Sequence, residues 1–208
     1  MLNTPPNYYK NTLIRTSGTY HQLKLSLGVT LIDLMVSIGI TSILITIALP
    51  SFNDFIVQLR VDNEISRLAR LLLTARNHAI SSAENVIICP LENNGACSVN
   101  WHEQLSVFID NNGNKQFDSA DGELLIATKS PITSGDTLKY AKNRTKITYQ
   151  ATGHLFGLSN GTLKYCPKKY EEKSRAIVVA RSGRFYATMD NNNDGYDETR
   201  SNKKIICD

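Results

Sequence analysis

Hydrophobic and polar positions divide the chain into three stretches with different periods. From Leu25 to Asn53 the only charged side chain is Asp33. Residues 29–49, if helical, extend ~31 Å, enough to cross a bilayer core. Residues 51–85 contain no Gly and no Pro. Their apolar residues recur at Phe52, Phe55, Ile56, Leu59, Ile65, Leu68, Ala69, Leu72, Ala79, Ile80 and Ala83. That spacing predicts an amphipathic helix with one buried stripe, its wet face supplied by Arg60, Asp62, Glu64, Arg67 and Arg70. Pro50 lies between the two stretches and is expected to loosen the helix near Thr46. Residues 86–208 read as strands: Val86 to Cys89, Leu105 to Ile109, Leu124 to Ala127, Lys146 to Ala151, Leu163 to Cys166, Ala176 to Ala180, Phe185 to Met189 and Lys204 to Cys207. Asn160-Gly161 is the residue pair favoured by tight hairpin turns, and the short connections predict antiparallel pairing.

Charge refines this picture. Residues 1–28 carry Lys10, Arg15 and Lys24 and no acid, a balance of +3 that places the N-terminus on the cytoplasmic side. Residues 29–128 hold five basic and eleven acidic side chains, −6, and residues 129–208 fifteen basic and eight acidic, +7. The split suggests a two-faced domain. The overall 41% hydrophobic and 20% charged residues belong to a folded protein, with room after the apolar stretch for one domain with its own core. The apolar stretch exceeds the 7–15 residues of a signal-peptide core, and Ala48-Leu49-Pro50 makes a poor cleavage site. A plain anchor would explain the length but not an acid inside it. Such an acid is costly at membrane depth and usually has a partner. Ser37 and Gly39 are small enough for close approach of a second helix, although Gly is also simply tolerated in membrane helices.

Four cysteines, Cys89, Cys97, Cys166 and Cys207, read as disulfides in an oxidising compartment. They allow three connectivities. Cys89–Cys97 with Cys166–Cys207 is the preferred one, because the second bond would tie down the C-terminal tail. There is no Cys-x-x-Cys to suggest zinc. Asp110, Asn112, Asn114, Asp118 and Asp121 occupy positions 1, 3, 5, 9 and 12 of a calcium-loop frame, but Lys115 stands where such loops have Gly. An Asn/Gly-rich hairpin loop is the preferred reading there, with a weak calcium site as the alternative. A second frame starting at Asp190, Asn192, Asp194 and Gly195 ends on Ser201 at position 12 and is weaker still. His21, His78, His102 and His154 are scattered, and no nucleophile elbow, zinc-protease motif or phosphate loop occurs. No enzyme and no cofactor is expected.

The N-terminal register is specific. Gly28 is followed by Val29, Thr30, Leu31, Ile32, Asp33, Leu34 and Met35, with the acid fifth after Gly28 and Pro50 twenty-second. This resembles the type IV prepilins and type II secretion pseudopilins. It departs from them in having Val29 where Phe is usual and Asp33 where Glu is usual. Later motifs, Ala75-Arg76, Cys89, Cys97, Trp101, Phe108-Ile109-Asp110 and Ser182-Gly183-Arg184, resemble the H-type pseudopilins and the FimT/FimU minor pilins. The resemblance implies an α+β pilin-like fold, a long N-terminal helix packed on antiparallel sheets. It divides the chain into a leader (1–28), a membrane half of the helix (29–50), an amphipathic half (51–85) and a periplasmic β-rich domain (86–208). It implies cleavage by a prepilin peptidase between Gly28 and Val29, N-methylation of Val29, and a single pass through the bacterial inner membrane. It also implies partnership with other pilin subunits and an inner-membrane assembly platform. Asp33 would pair with the amine of Val29 on a neighbouring subunit, and the chain would act as a minor subunit at the tip of a pilus or pseudopilus.

A second reading is DNA binding. Lys168, Lys169 and Arg184 lie in the basic C-terminal part, where aromatics interleave with cations. FimT-type pilins carry a Gly-Arg-x-Arg motif for DNA uptake. Gly183 and Arg184 match it, but Tyr186 replaces the second Arg.

Overall fold

The computed structural model describes residues 28–207, and the side chains of all of these except Pro50 and Ser51. The expected leader therefore lies outside the described residues, apart from Gly28. Helix α1 spans Leu31–Ser82. The chain divides into two units between Ile45 and Thr46, each described in turn.

In the first unit every described side chain from Val29 to Ile45 is exposed. An 18-residue window of α1 reaches a mean hydropathy of 2.2 with none of it buried, which fits a membrane anchor. The hydroxyls in this segment turn back onto their own helix. Ser37 Oγ donates to the Asp33 carbonyl (2.6 Å), Thr41 Oγ1 to that of Ser37 (2.8 Å) and Ser42 Oγ to that of Ile38 (2.7 Å). Each hydroxyl is thus satisfied without water, as an apolar medium demands.

In the second unit α1 buries Val57, Val61, Ile65, Leu68, Leu71, Leu72, Ala75 and Ala79, a three-and-four spacing along one face. This differs from the expected stripe. Phe52, Phe55, Ile56, Leu59 and Ile80 are exposed. Val61 and Val57 stand one and two turns before Ile65 and so share its face. The aromatic residues lie on another face, next to the exposed apolar segment. The helix also ends earlier than residue 85, where Ala83 adopts φ +57°, a left-handed stop without the usual glycine.

Eight strands follow: β1 (Asn85–Pro90), β2 (Leu105–Asp110), β3 (Leu125–Lys129), β4 (Thr137–Tyr140), β5 (Ile147–Tyr149), β6 (Gly161–Cys166), β7 (Arg175–Val179) and β8 (Phe185–Ala187). They form two antiparallel sheets, ordered β3-β2-β1-β5 and β4-β6-β7-β8. Strand β1 is buried on both faces, which explains its unbroken apolar run. Val86 and Ile88 join the main core with α1, Val107, Ile147, Leu163 and Ile177. Ile87 and Cys89 face a second small cluster with Phe108, closed by Cys97 and Phe117.

Two turn readings change. Asn160-Gly161 is no hairpin turn: Gly161 begins β6, which pairs with β4 and β7 and not with the preceding β5. A Cβ on Gly161 would stand 2.9 Å from the Tyr140 ring, so this glycine serves close packing. Among the described residues the tail from Lys204 forms an isolated bridge, Glu198↔Lys204, and no strand.

The acidic and basic parts meet instead of forming two faces. Helix residues pair with groups far along the chain: Glu64 with Lys129 (2.7 Å), Arg60 with Asp136 (3.3 Å), Asp54 with Lys173 (3.3 Å) and Asp62 with Arg175. Three basic residues of the later part, Lys129, Lys173 and Arg175, are thus matched by acids of α1.

Candidate functional site

The first candidate is the start of α1. Thr30 caps the helix, and its Oγ1 accepts from the Asp33 N–H (3.2 Å). Asp33 Oδ2 reaches back to accept from the Thr30 N–H (3.1 Å) and Oγ1–H (2.7 Å). This is a capping box with Asp in the place of the more common Glu. The acid sits where the helix dipole is positive and two free amide groups need acceptors. Val29 stands exposed directly before it.

The second candidate is the basic surface. Arg184 is exposed at the β7–β8 turn, and Lys168 and Lys169 are exposed just after β6. The sheet register keeps them apart. Gly161 pairs with Val179 at the Arg184 end of β6, whereas Tyr165 pairs with Arg175 at the lysine end. Four residue steps separate those pairs, about 13 Å along the strand. Other basic side chains are already engaged: Arg175 with Asp62 and Asp197, Lys204 with Asp194, and Arg200 over the Tyr186 ring at 4.2 Å.

Gly183 has a structural task. The turn carries the bonds Gly183 N–H to Ala180 O (2.9 Å) and Ala180 N–H to Arg184 O (2.8 Å), with Gly183 at φ +73°. That is a three-residue hairpin loop with glycine at its left-handed position. A Cβ there would come within 1.9 Å of the Gly153 carbonyl oxygen. Arg76 Nε donates to that same oxygen at 3.2 Å. Two motifs distant in the chain, Ala75-Arg76 and Ser182-Gly183-Arg184, therefore meet at Gly153.

The side chains of the 110–121 frame are taken up by hydrogen bonds within the loop. Asp110 Oδ1 accepts from the Lys115 N–H, Asn112 Oδ1 from Asn114, Asn114 Oδ1 from Gln116 and Asp118 Oδ1 from Ala120. Asp121 Oδ2 accepts from Asn112 Nδ2 at 2.6 Å. Among the described residues, the one convergence of three carboxylates is Asp190, Asp194 and Glu198, in the second frame. Sequence reading followed the twelve-residue spacing and stopped at Ser201, so Glu198 was missed.

The cysteines pair as Cys89–Cys97 and Cys166–Cys207, with Cα separations of 5.6 and 6.1 Å. Trp101 is packed inside, its ring 4.8 Å from that of Tyr140 and its Nε1–H donating to the Arg144 carbonyl at 2.7 Å.

A Pseudomonas aeruginosa fimbrial protein is 27% identical over 122 residues, covering 57% of this chain and 77% of that protein. The crystal structure of the P. aeruginosa type IV minor pilin FimU superposes with a TM-score of 0.51 at 17% identity, covering 64% of this chain and 90% of FimU. The Vibrio cholerae minor pseudopilin EpsH gives a TM-score of 0.43 at 13% identity, over 62% of this chain and 95% of EpsH. The family model described as type II transport protein GspH matches residues 64–183, more than half of the chain. The chain therefore belongs to the GspH family, with the long helix and antiparallel sheets of a minor pilin or pseudopilin.

Proposed function

We propose that this chain is a minor subunit of a type IV pilus or type II secretion pseudopilus, acting in filament assembly at the tip. Its family is one of structural subunits, not enzymes. The observation that carries the reading is the α1 N-terminus: Asp33, five places after Gly28, at the head of an exposed apolar helix. A prepilin peptidase would cut between Gly28 and Val29, leaving Val29 as the amine that is N-methylated. Until then the +3 leader keeps the N-terminus cytoplasmic, and the second unit lies in the periplasm. The assembly platform would lift the subunit from the inner membrane into a bundle of apolar helices. Such a bundle hides the exposed surface from water. Inside it, an unpaired carboxylate is strongly penalised, so pairing of Asp33 with the amine of a neighbouring subunit favours correct axial register.

The test is Asp33→Ala, with membrane fractionation and recovery of sheared filaments. The variant is expected to stay in the membrane fraction and to be absent from filaments. Normal incorporation would refute the role of Asp33.

DNA binding is the second reading, favoured by the exposure of Arg181 and Arg184 at one hairpin tip. Salt-sensitive binding of duplex DNA, lost in Arg184→Ala, would support it. The separation of Lys168 and Lys169 from that tip speaks for protein contacts instead.

A further inference from the structure

The segment between β8 and Cys207 contains no strand among its described residues, yet it buries three acidic or polar side chains: Thr188, Asp197 and Glu198. Thr188 and Asp197 are matched. Thr188 Oγ1 donates to Asp197 Oδ2 at 3.1 Å, and Arg175 Nε donates to the same oxygen at 2.8 Å. Glu198 is not fully matched. It keeps 3% exposure, its Oε2 accepts from the Asn191 N–H at 3.1 Å, and its Oε1 accepts nothing. A carboxylate oxygen withdrawn from water needs a donor or a cation.

That carboxylate belongs to the group in which Asp190, Asp194 and Glu198 bring oxygens within 4.8 Å of one another. The loop around it has the pattern of an oxygen cage. Asp190, Asn192 and Asp194 alternate, and Gly195 follows at φ +89°, the tight bend that such loops place at their sixth position. Backbone amides hold the side chains in place. Asp190 accepts from the Asp194 and Gly195 N–H groups, Asn192 from Asp194, and Asp194 from Tyr196. Glu198 takes the ninth position, so the closing acid arrives three residues earlier than in the twelve-residue frame.

We propose that Asp190, Asn192, Asp194 and Glu198 form a calcium site that staples the C-terminal segment. All donors are oxygen, three are carboxylates, and the loop is irregular enough for a large coordination sphere, which suits calcium better than magnesium. The structure also shows a competitor. Lys204 Nζ lies 2.6 Å from Asp194 Oδ2 and 4.6 Å from the Tyr196 ring centre. Its hydrogen bond to Asp194 raises the lysine's pKa and lowers that of Asp194. An entering divalent ion must displace this ammonium, so Lys204 sets the affinity. The site does not depend on whether the chain works in a pilus or a pseudopilus.

The test uses the full chain in detergent, stripped of metal and titrated with calcium chloride by calorimetry. Terbium luminescence is read in parallel, with Tyr196 as the sensitiser. The expected result is one calcium per chain, with a dissociation constant on the order of 10⁻⁴–10⁻³ M, the range of extracellular modules. Glu198→Gln and Asp194→Asn should abolish binding with unchanged far-UV dichroism, and Lys204→Met should tighten it about tenfold. Asp118→Asn, in the other loop, should leave it unchanged. Absence of saturable uptake, survival of binding in both Glu198→Gln and Asp194→Asn, loss of binding in Asp118→Asn, or tighter binding of magnesium would overturn the proposal.

Discussion

Lys129→Met isolates the most buried of the contacts that join the two oppositely charged parts of the chain. The Lys129 side chain is 3% exposed and its Nζ stands 2.7 Å from Glu64, itself 7% exposed. Methionine keeps the volume of the stem but removes the ammonium, which leaves a buried carboxylate. Breaking a buried pair by removing one partner costs about 3–5 kcal/mol. Arg67, 3.1 Å from Glu64 Oε1 and 40% exposed, still offers partial compensation. That puts the expected loss near the lower end, about 3 kcal/mol. For a domain of this size it corresponds to roughly 6–12 °C in Tm. Trp101 is the single tryptophan and is 2% exposed, so its fluorescence reports on this unit directly. Urea and thermal unfolding of the full chain in detergent should show the shift. The double variant Glu64→Leu with Lys129→Met, which leaves no orphan charge, should recover most of the loss. A cost below about 1 kcal/mol for Lys129→Met, or a double variant worse than either single one, would refute the account.

Two further predictions follow from the same core and its turns. Gly183→Ala should cost more than about 1–2 kcal/mol, the left-handed penalty alone, because the added Cβ also collides with the Gly153 carbonyl. Arg184→Ala next to it should leave urea stability unchanged within about 0.5 kcal/mol. Alkaline pH should unfold the domain. Burial pushes the Tyr140 phenol up to about 12 against the pull of Arg144, and raises Tyr149 and Tyr165 as well, the latter helped by its hydrogen bond to Asp136. The folded state thus holds these protons more tightly than the unfolded chain, whose tyrosines ionise near ~10. The stability they lend is intact below pH ~10 and falls as pH rises through about 12. Absorbance at 295 nm should show these tyrosines ionising together with the loss of Trp101 burial. A titration complete before any unfolding would contradict this.

What the sequence disclosed depended on how local each signal was. The apolar stretch around Asp33 and the buried runs of β1, β2 and β7 stand out because every residue in them reports the same environment. Strand β4 was invisible. Only Leu138 and Tyr140 of its four residues are buried, too few alternations to register as a period. The buried face of α1 was misplaced at Phe52 and Phe55 because a helix with two apolar faces, one for its own sheets and one exposed, does not say which is which. Asn160-Gly161 carried the chemistry of a hairpin but was recruited for close packing on Tyr140. The pairing of Glu64 with Lys129 depends on tertiary placement, which no spacing rule encodes, whereas Glu198 stands at the ninth position of its frame and was passed over only because the twelfth is Ser201.

The ion pairs between α1 and the later strands also bear on the order in which the chain becomes a protein. During synthesis α1 emerges first, and its partners Lys129, Asp136, Lys173 and Arg175 appear only as the following strands are completed. Strand β5 must return to lie against β1, and Cys166 must wait for Cys207. Contacts of such long sequence separation form late and slowly. For that interval the helix has an uncovered core face as well as an uncovered apolar end, a state that invites misassociation. Anchoring in a lipid bilayer at birth would keep the apolar end out of reach while the sheets are still being made.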